Sequence, residues 1–275
     1  MTEGGIVAHA VCPHTPRMAY PDEAPDFLNG VIAGMREMGE VIRSFELDLW
    51  VVHSTHWVTT FNWYVTHQPH HEGVCVGEEC PDLIPGIDYS IQGHPEFAAA
   101  LSNSIEKAGF PGGQSRTLNH RFDYGSLVPL TYLDPDFSLP VVLLGCCVMA
   151  DIRECMAVGA AVSQAAKESG RRVGFLASTA LSHRLVRGPD RWPTDDEQRR
   201  DREFIDLMCC GNIDEARAQF VAYSRAVTAE MGGRNLATFL GSLNSDTQYI
   251  GKQYGDYGQS SGSGNASFLL TESAD

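Results

Sequence analysis

The stretch Leu47-Asp-Leu-Trp-Val-Val-His-Ser-Thr-His-Trp-Val58 constrains the fold more than any other part of the chain. Its first half, Leu47 to Val52, is an apolar run of strand length. Such a run reads as a strand buried on both faces, as in a parallel sheet covered by helices. The run ends in His53, Ser54, Thr55 and His56, side chains capable of chemistry. In open α/β sheets ligands bind beyond the carboxyl ends of the strands. A histidine there is held by a rigid strand and faces the crevice. The plain alternative is that His53 and His56 only cap the strand end by hydrogen bonding.

Two more histidines follow predicted strands. Gly5 to Ala10 reads as a first strand, leading into Pro13-His14-Thr15-Pro16, where the prolines keep His14 out of any helix interior. From Pro25-Asp26 a helical pattern runs through Phe27, Val31, Ile32, Met35, Met38, Val41 and Ile42. Strand, helix and the Leu47 strand make a βαβ unit. A right-handed crossover brings both strand ends to one edge. Pro140 to Cys147 and Arg172 to Ser178 are further strands, separated by an Ala-rich helix capped by Asp151 and stopped by Gly170. The second strand runs on into Thr179-Ala-Leu-Ser-His183-Arg184.

Elsewhere the pattern predicts a strand over 60–66, a turn at His67-Gln-Pro-His-His71, and a long loop over 77–95 that covers a site. The histidine-rich turn can bind metal, although its Pro and the following Glu72-Gly73 suit a solvated turn. Helices are expected over 95–108, 197–210, 213–228 and 235–243, and a polar turn over 119–126. The Gly/Ser-rich segment 255–265 is either a flexible linker or the lead into a last strand at 266–270. With no repeat and no clear linker inside the body of the chain, residues 1–275 are expected to form a single α/β domain with a central mixed, largely parallel sheet flanked by helices.

Composition narrows the functional classes. With 275 residues, 43% of them hydrophobic, the chain can bury a sizeable core. No apolar stretch has membrane-spanning length, and Met1-Thr-Glu-Gly-Gly lacks a basic leader region, so a cytoplasmic location is expected. The eight cysteines show no repeated CxxC spacing and read as reduced thiols. A net charge of −15 repels phosphate backbones and argues against nucleic acid as a partner.

Three strand-end histidines, His14, His56 and His183, can converge on one crevice. Two imidazoles and a carboxylate with open positions suit non-haem Fe(II); three histidines with an open position suit zinc. Chain order does not separate these.

Pro13-His14-Thr-Pro, Ser54-Thr-His56-Trp57, Asp123-Tyr-Gly-Ser-Leu-Val-Pro-Leu130, Ala180-Leu-Ser-His183-Arg184 and Ser260-Ser-Gly-Ser-Gly264 occur in this order. Together they resemble the class III extradiol ring-cleaving dioxygenases, the family of protocatechuate 4,5-dioxygenase β-chains. The spacing is most similar to homoprotocatechuate 2,3-dioxygenases and 2-aminophenol 1,6-dioxygenases. The resemblance covers nearly the whole chain. It implies Fe(II) held by His14, His56 and a glutamate, with O2 as co-substrate and a catechol or 2-aminophenol as the aromatic substrate. His183 falls at the acid/base histidine, and Tyr124 at a residue that contacts substrate. The family's assemblies imply a homo-oligomer or a heteromer with a related subunit. The chain departs from the pattern at the glutamate. The expected ligand position, at the start of a C-terminal helix, falls on Asn235; Glu230 lies five residues earlier and is preferred over Asp256. The departure leaves a second reading: a non-catalytic α-type subunit that pairs with an active partner. Arg17, Arg184 and Arg187 are the side chains available for a substrate carboxylate.

Overall fold

Leu49 and Val51 point to one face of a sheet, Trp50 and Val52 to the other, and all four are fully buried. The apolar run is an inner strand covered on both sides, as its sequence requires. The structure, a computed structural model, describes residues 4–273. In chain order the elements are β1 (Gly5–Cys12), α1 (Asn29–Arg43), β2 (Leu49–Thr59), β3 (Trp63–Val65), β4 (His70–Cys75), β5 (Ile87–Gln92), α2 (Pro95–Lys107), β6 (Gly112–Gln114), α3 (Tyr124–Leu133), β7 (Val141–Cys147), α4 (Ile152–Ser169), β8 (Arg172–Ser178), α5 (Asp195–Cys209), α6 (Ile213–Ala226), α7 (Arg234–Ser242), β9 (Tyr249–Ser260) and β10 (Ser263–Glu272).

Eight strands form one mixed, mostly parallel sheet in the order β6-β3-β7-β2-β8-β1-β10-β9. Its centre, β7-β2-β8-β1, is all parallel, while β10 and β9 add an antiparallel edge. Helices α1 and α3 cover one face; α2 and α4 to α7 cover the other. This is a single α/β domain, and β1, α1, β2 is the predicted βαβ unit.

Local chemistry fixes several boundaries. The Asp151 side chain accepts the Glu154 N–H at 2.8 Å to start α4. Gly170 closes that helix at φ 68°, a conformation glycine adopts without steric cost. Thr194 and Glu197 form a reciprocal capping box at the start of α5.

Four expectations need correction. The histidine-rich segment is not a turn: His70 begins β4, which pairs with β5 as a separate two-stranded sheet. The loop over 77–95 accordingly contains β5. The polar turn over 119–126 passes directly into α3, despite Pro129 inside that helix. The Gly/Ser-rich tail is not a linker but the β9–β10 hairpin, turning at Ser261-Gly262 with φ of 51° and 86°.

Candidate metal centre

The sheet changes register where the chemistry begins. Strands β2 and β7 pair up to His53 and Leu144, then resume at Val58 and Cys146. Ser54, Thr55, His56 and Trp57 therefore face only Gly145, and this bulge aims side chains out of the ladder. His14 lies just past β1, 6% exposed. Glu230, 5% exposed, lies in a tight turn (Glu230–Gly233) ahead of α7. Met231, Gly232 and Gly233 there have φ of 49°, 66° and 83°, which turns the chain sharply before the helix begins.

These three elements bring together His14, His56 and Glu230. His14 Nε2 is 3.1 Å from His56 Nε2 and 3.3 Å from Glu230 Oε1. The three donor atoms all lie within 4.8 Å of one another. Neighbouring donors on an ion with bonds of about 2.1 Å stand about 3 Å apart, so the spacing fits one metal ion.

Hydrogen bonds set the tautomers. His14 Nδ1 is 2.9 Å from Ser178 Oγ, and that hydroxyl donates to the Gly125 carbonyl at 2.5 Å. A serine has one hydrogen to give, so His14 Nδ1–H is the donor and its Nε2 carries the lone pair. His56 Nδ1 is 3.0 Å from the Glu79 carboxylate, which only accepts, and its Nε2 is likewise left with the lone pair. Two lone pairs and a carboxylate oxygen thus face one point and repel unless a cation lies among them.

In the metal-free site a proton between His14 and Glu230 plays that part, and each shifts the other's pKa. Burial works to raise the Glu230 pKa, but His14, His183 and the Ala180 N–H overcome it and hold the carboxylate well below its usual range. The Ala180 N–H reaches Oε2 at 2.6 Å and Thr55 Oγ1 reaches Oε1 at 3.1 Å. Burial works against the charged form of His14, yet Glu230 beside it raises the imidazole above its ordinary value. His56 is lowered, by burial first and by His14 second.

Above this floor opens a cavity of about 330 Å³. His183 and Tyr124 line it, together with Arg17, Ser260, Asn265 and the loop residues Glu79 and Leu83. His183 Nε2 stands 3.6 Å from Glu230 Oε1, and burial lowers its pKa. The Tyr124 ring lies over His56 at a centroid distance of 4.1 Å, and burial pushes its phenol up. The His183 segment is held from below by Asp201, a fully buried carboxylate. Asp201 accepts from Ser182 N–H and Oγ–H, Tyr223 and Tyr257 at 2.6–3.2 Å.

The other expected residues lie elsewhere. Asp256, on β9, packs against Gly30 of α1 in a different groove with Trp192. Asn235 is buried, its amide donating to the His53 carbonyl at 2.9 Å. Arg184 pairs with Glu197 at 3.0 Å, and Arg187 does not reach the cavity. Sequence reasoning named Thr55 as a strand-end polar residue but missed Glu79, Ser178 and Asp201. Only Ser178, the last residue of a predicted strand, carried a signal. No helix among the described residues is long and apolar enough to cross a membrane.

An α/β sheet that gathers two imidazoles and an ionised carboxylate beneath a small cavity presents a donor set that could hold one cation. Residues 8–268 match the family described as the catalytic LigB subunit of aromatic ring-opening dioxygenase, and the chain belongs to this family of extradiol ring-cleaving enzymes. It is 25% identical to 3,4-dihydroxyphenylacetate 2,3-dioxygenase of Escherichia coli over 260 residues, 90% of this chain and 94% of that protein. It is 27% identical to the 2-aminophenol 1,6-dioxygenase beta subunit of a Pseudomonas species over 66% of this chain and 64% of that one. The alpha subunit of the same enzyme is 25% identical over 84% and 87%. The crystal structure of an uncharacterized protein from Escherichia coli K12 shares the fold, with a TM-score of 0.68 at 17% identity, covering 96% of this chain and 99% of that one.

Proposed function

We propose that this dioxygenase holds Fe(II) through His14, His56 and Glu230 and opens the ring of a catechol or a 2-aminophenol with O2. The observation that carries the reading is the convergence of two Nε2 lone pairs and an ionised carboxylate on the floor of a cavity near the small end of ligand-pocket sizes. Fe(II) held by two histidines and one carboxylate supplies the redox chemistry that lets O2 react with the ring, with positions left for both.

The chain's own groups do the rest. His183 faces the cavity from beside Glu230 and takes a proton from the substrate hydroxyl, returning it later in the cycle. Tyr124, its phenol kept protonated by burial, donates a hydrogen bond to a substrate oxygen. Glu79 and Leu83 line the cavity wall beside the reacting ring. The chain acts as a homo-oligomer or beside a related subunit, as the two-subunit relatives suggest.

Similarity to an alpha subunit favours a second reading, a non-catalytic partner chain. The intact donor set favours the active one. The test is anaerobic loading of the purified chain with Fe(II), metal analysis, then oxygen uptake with a panel of catechols and 2-aminophenol. Stoichiometric iron and uptake support the proposal. Iron absent here but held by a co-purified partner replaces it with the subunit reading. Zinc without uptake replaces it with hydrolysis.

A further inference from the structure

Helix α3 contains a proline where a helix should not tolerate one. Pro129 lies in its middle, fully inside the fold. Proline has no N–H, and in a helix interior it removes the bond to the carbonyl four residues back and crowds that carbonyl. The carbonyl in question belongs to Gly125. In a buried helix such an orphan oxygen is costly unless something else pairs with it. Here the Ser178 hydroxyl donates to it at 2.5 Å. Ser178 ends β8, is fully buried, and receives the His14 Nδ1–H at 2.9 Å. The start of α3 also presses directly on the site. A Cβ on Gly125 would lie 2.6 Å from Ser54 Oγ and 2.9 Å from His56 Cδ2, so the helix backbone here passes close against both.

We infer that Pro129 is a positioning residue for His14, acting through the Gly125 carbonyl and the Ser178 hydroxyl. Because position 129 offers no N–H, the Gly125 oxygen stays free for Ser178. Because Ser178 spends its hydrogen there, its oxygen is left to accept from His14 Nδ1. His14 Nε2 therefore presents a lone pair to the metal point. The Gly125 oxygen has two lone pairs, but an N–H at position 129 competes for it along the helix and weakens the Ser178 bond. The Ser178 hydroxyl then rotates and offers its hydrogen to His14 Nδ1. The neutral imidazole moves its proton to Nε2, where it blocks coordination. The inference rests on His14 as a metal ligand, and it gives a reason for a proline inside a buried helix.

The experiment compares wild type with Pro129→Ala, Pro129→Val, Ser178→Ala and the Pro129→Ala/Ser178→Ala double variant. Anaerobic Fe(II) titration gives each dissociation constant. Groups that orient a ligating histidine typically contribute 10–100-fold in affinity, and each single variant is expected to lose about that much. The double variant should bind no more weakly than Ser178→Ala alone, since both changes cut one relay. In the metal-free protein at alkaline pH, 15N shifts of His14 should report Nδ1–H in wild type and Nε2–H in Pro129→Ala. Pro129→Val adds the same N–H while keeping more volume, and serves if Pro129→Ala does not fold. Affinity within about twofold of wild type in the position-129 variants overturns the inference, as do additive losses in the double variant. Lowered melting temperature with unchanged affinity and tautomer marks packing only and also overturns it. Wild type that binds no Fe(II) overturns the dioxygenase reading instead, and the 15N comparison still decides the role of Pro129.

Discussion

Glu230 keeps a negative charge in the interior because every neighbour of its carboxylate is a donor or a cation-forming ring. Two neutral imidazoles alone leave a dication without a charged ligand. Glu230→Ala is expected to weaken Fe(II) binding by more than about 100-fold, beyond the 10–100-fold typical of outer partners. Circular dichroism should stay native. Full iron and full turnover would make Glu230 a structural carboxylate. His183 is expected to behave differently, because it stands beside the donor set without joining it. His183→Ala should keep iron and lose about 10²- to 10⁴-fold in kcat; loss of the metal itself would make it a ligand. Gly232 and Gly233, just after Glu230 in the chain, allow the sharp turn that brings its carboxylate to the histidines. The resemblance pointed instead to Asn235, because the left-handed turn at Met231 to Gly233 separates the carboxylate from the helix start. Glu79 was illegible: it sits beside Glu78 in a polar loop, and only the folded loop carries it to His56.

Elements bounded by local chemistry were readable in the sequence. Strand β8 and helix α4 were legible at both ends, because Asp151 and Gly170 act on their own neighbours. The β9–β10 hairpin was not. Its glycines signal flexibility by composition, yet they serve close approach, as where a Cβ on Gly34 or Gly255 would overlap backbone across the α1–β9 contact. That cause lies in a partner distant in sequence. The α4–α7 contact is of the same kind: a Cβ on Gly241 would overlap the Met156 carbonyl, and one on Gly159 the Thr238 carbonyl. Gly241→Ala must therefore push α7 from α4, at a cost of about 1–3 kcal/mol. Since α7 follows directly on the Glu230 turn, iron affinity should fall with stability. The urea midpoint and an Fe(II) titration check both. An unchanged midpoint would mean that the helices separate freely, and that their contact does not hold the turn in place.

The whole molecule carries an acid liability that its site does not explain. His9, His53 and His71 are buried, and burial lowers their pKa values to about 3, about 4 and about 4. In the unfolded chain each titrates near 6.5. Below that pH the unfolded state binds protons that the folded state refuses, so stability falls as pH falls. Three such protons give a slope of about 4 kcal/mol per pH unit between roughly pH 6 and 4.5. His56 and His183, also lowered, act in the same direction in the metal-free protein. His14, raised, is protonated in both states below 6.5 and adds nothing there; its contribution is lost as pH rises through its folded value. Overall charge works the other way: the net −15 at pH 7 shrinks on acidification, which relaxes self-repulsion and favours the compact state. The two effects have opposite signs, so one measurement separates them. Urea midpoints taken from pH 7 to pH 5 should drop by several kcal/mol-equivalents, a large part of the 5–15 kcal/mol typical of a domain. His53→Asn, with a side chain that does not titrate, should flatten the slope by about one proton. Midpoints that rise on acidification would mean that surface charge dominates and that the buried rings take up protons inside the fold.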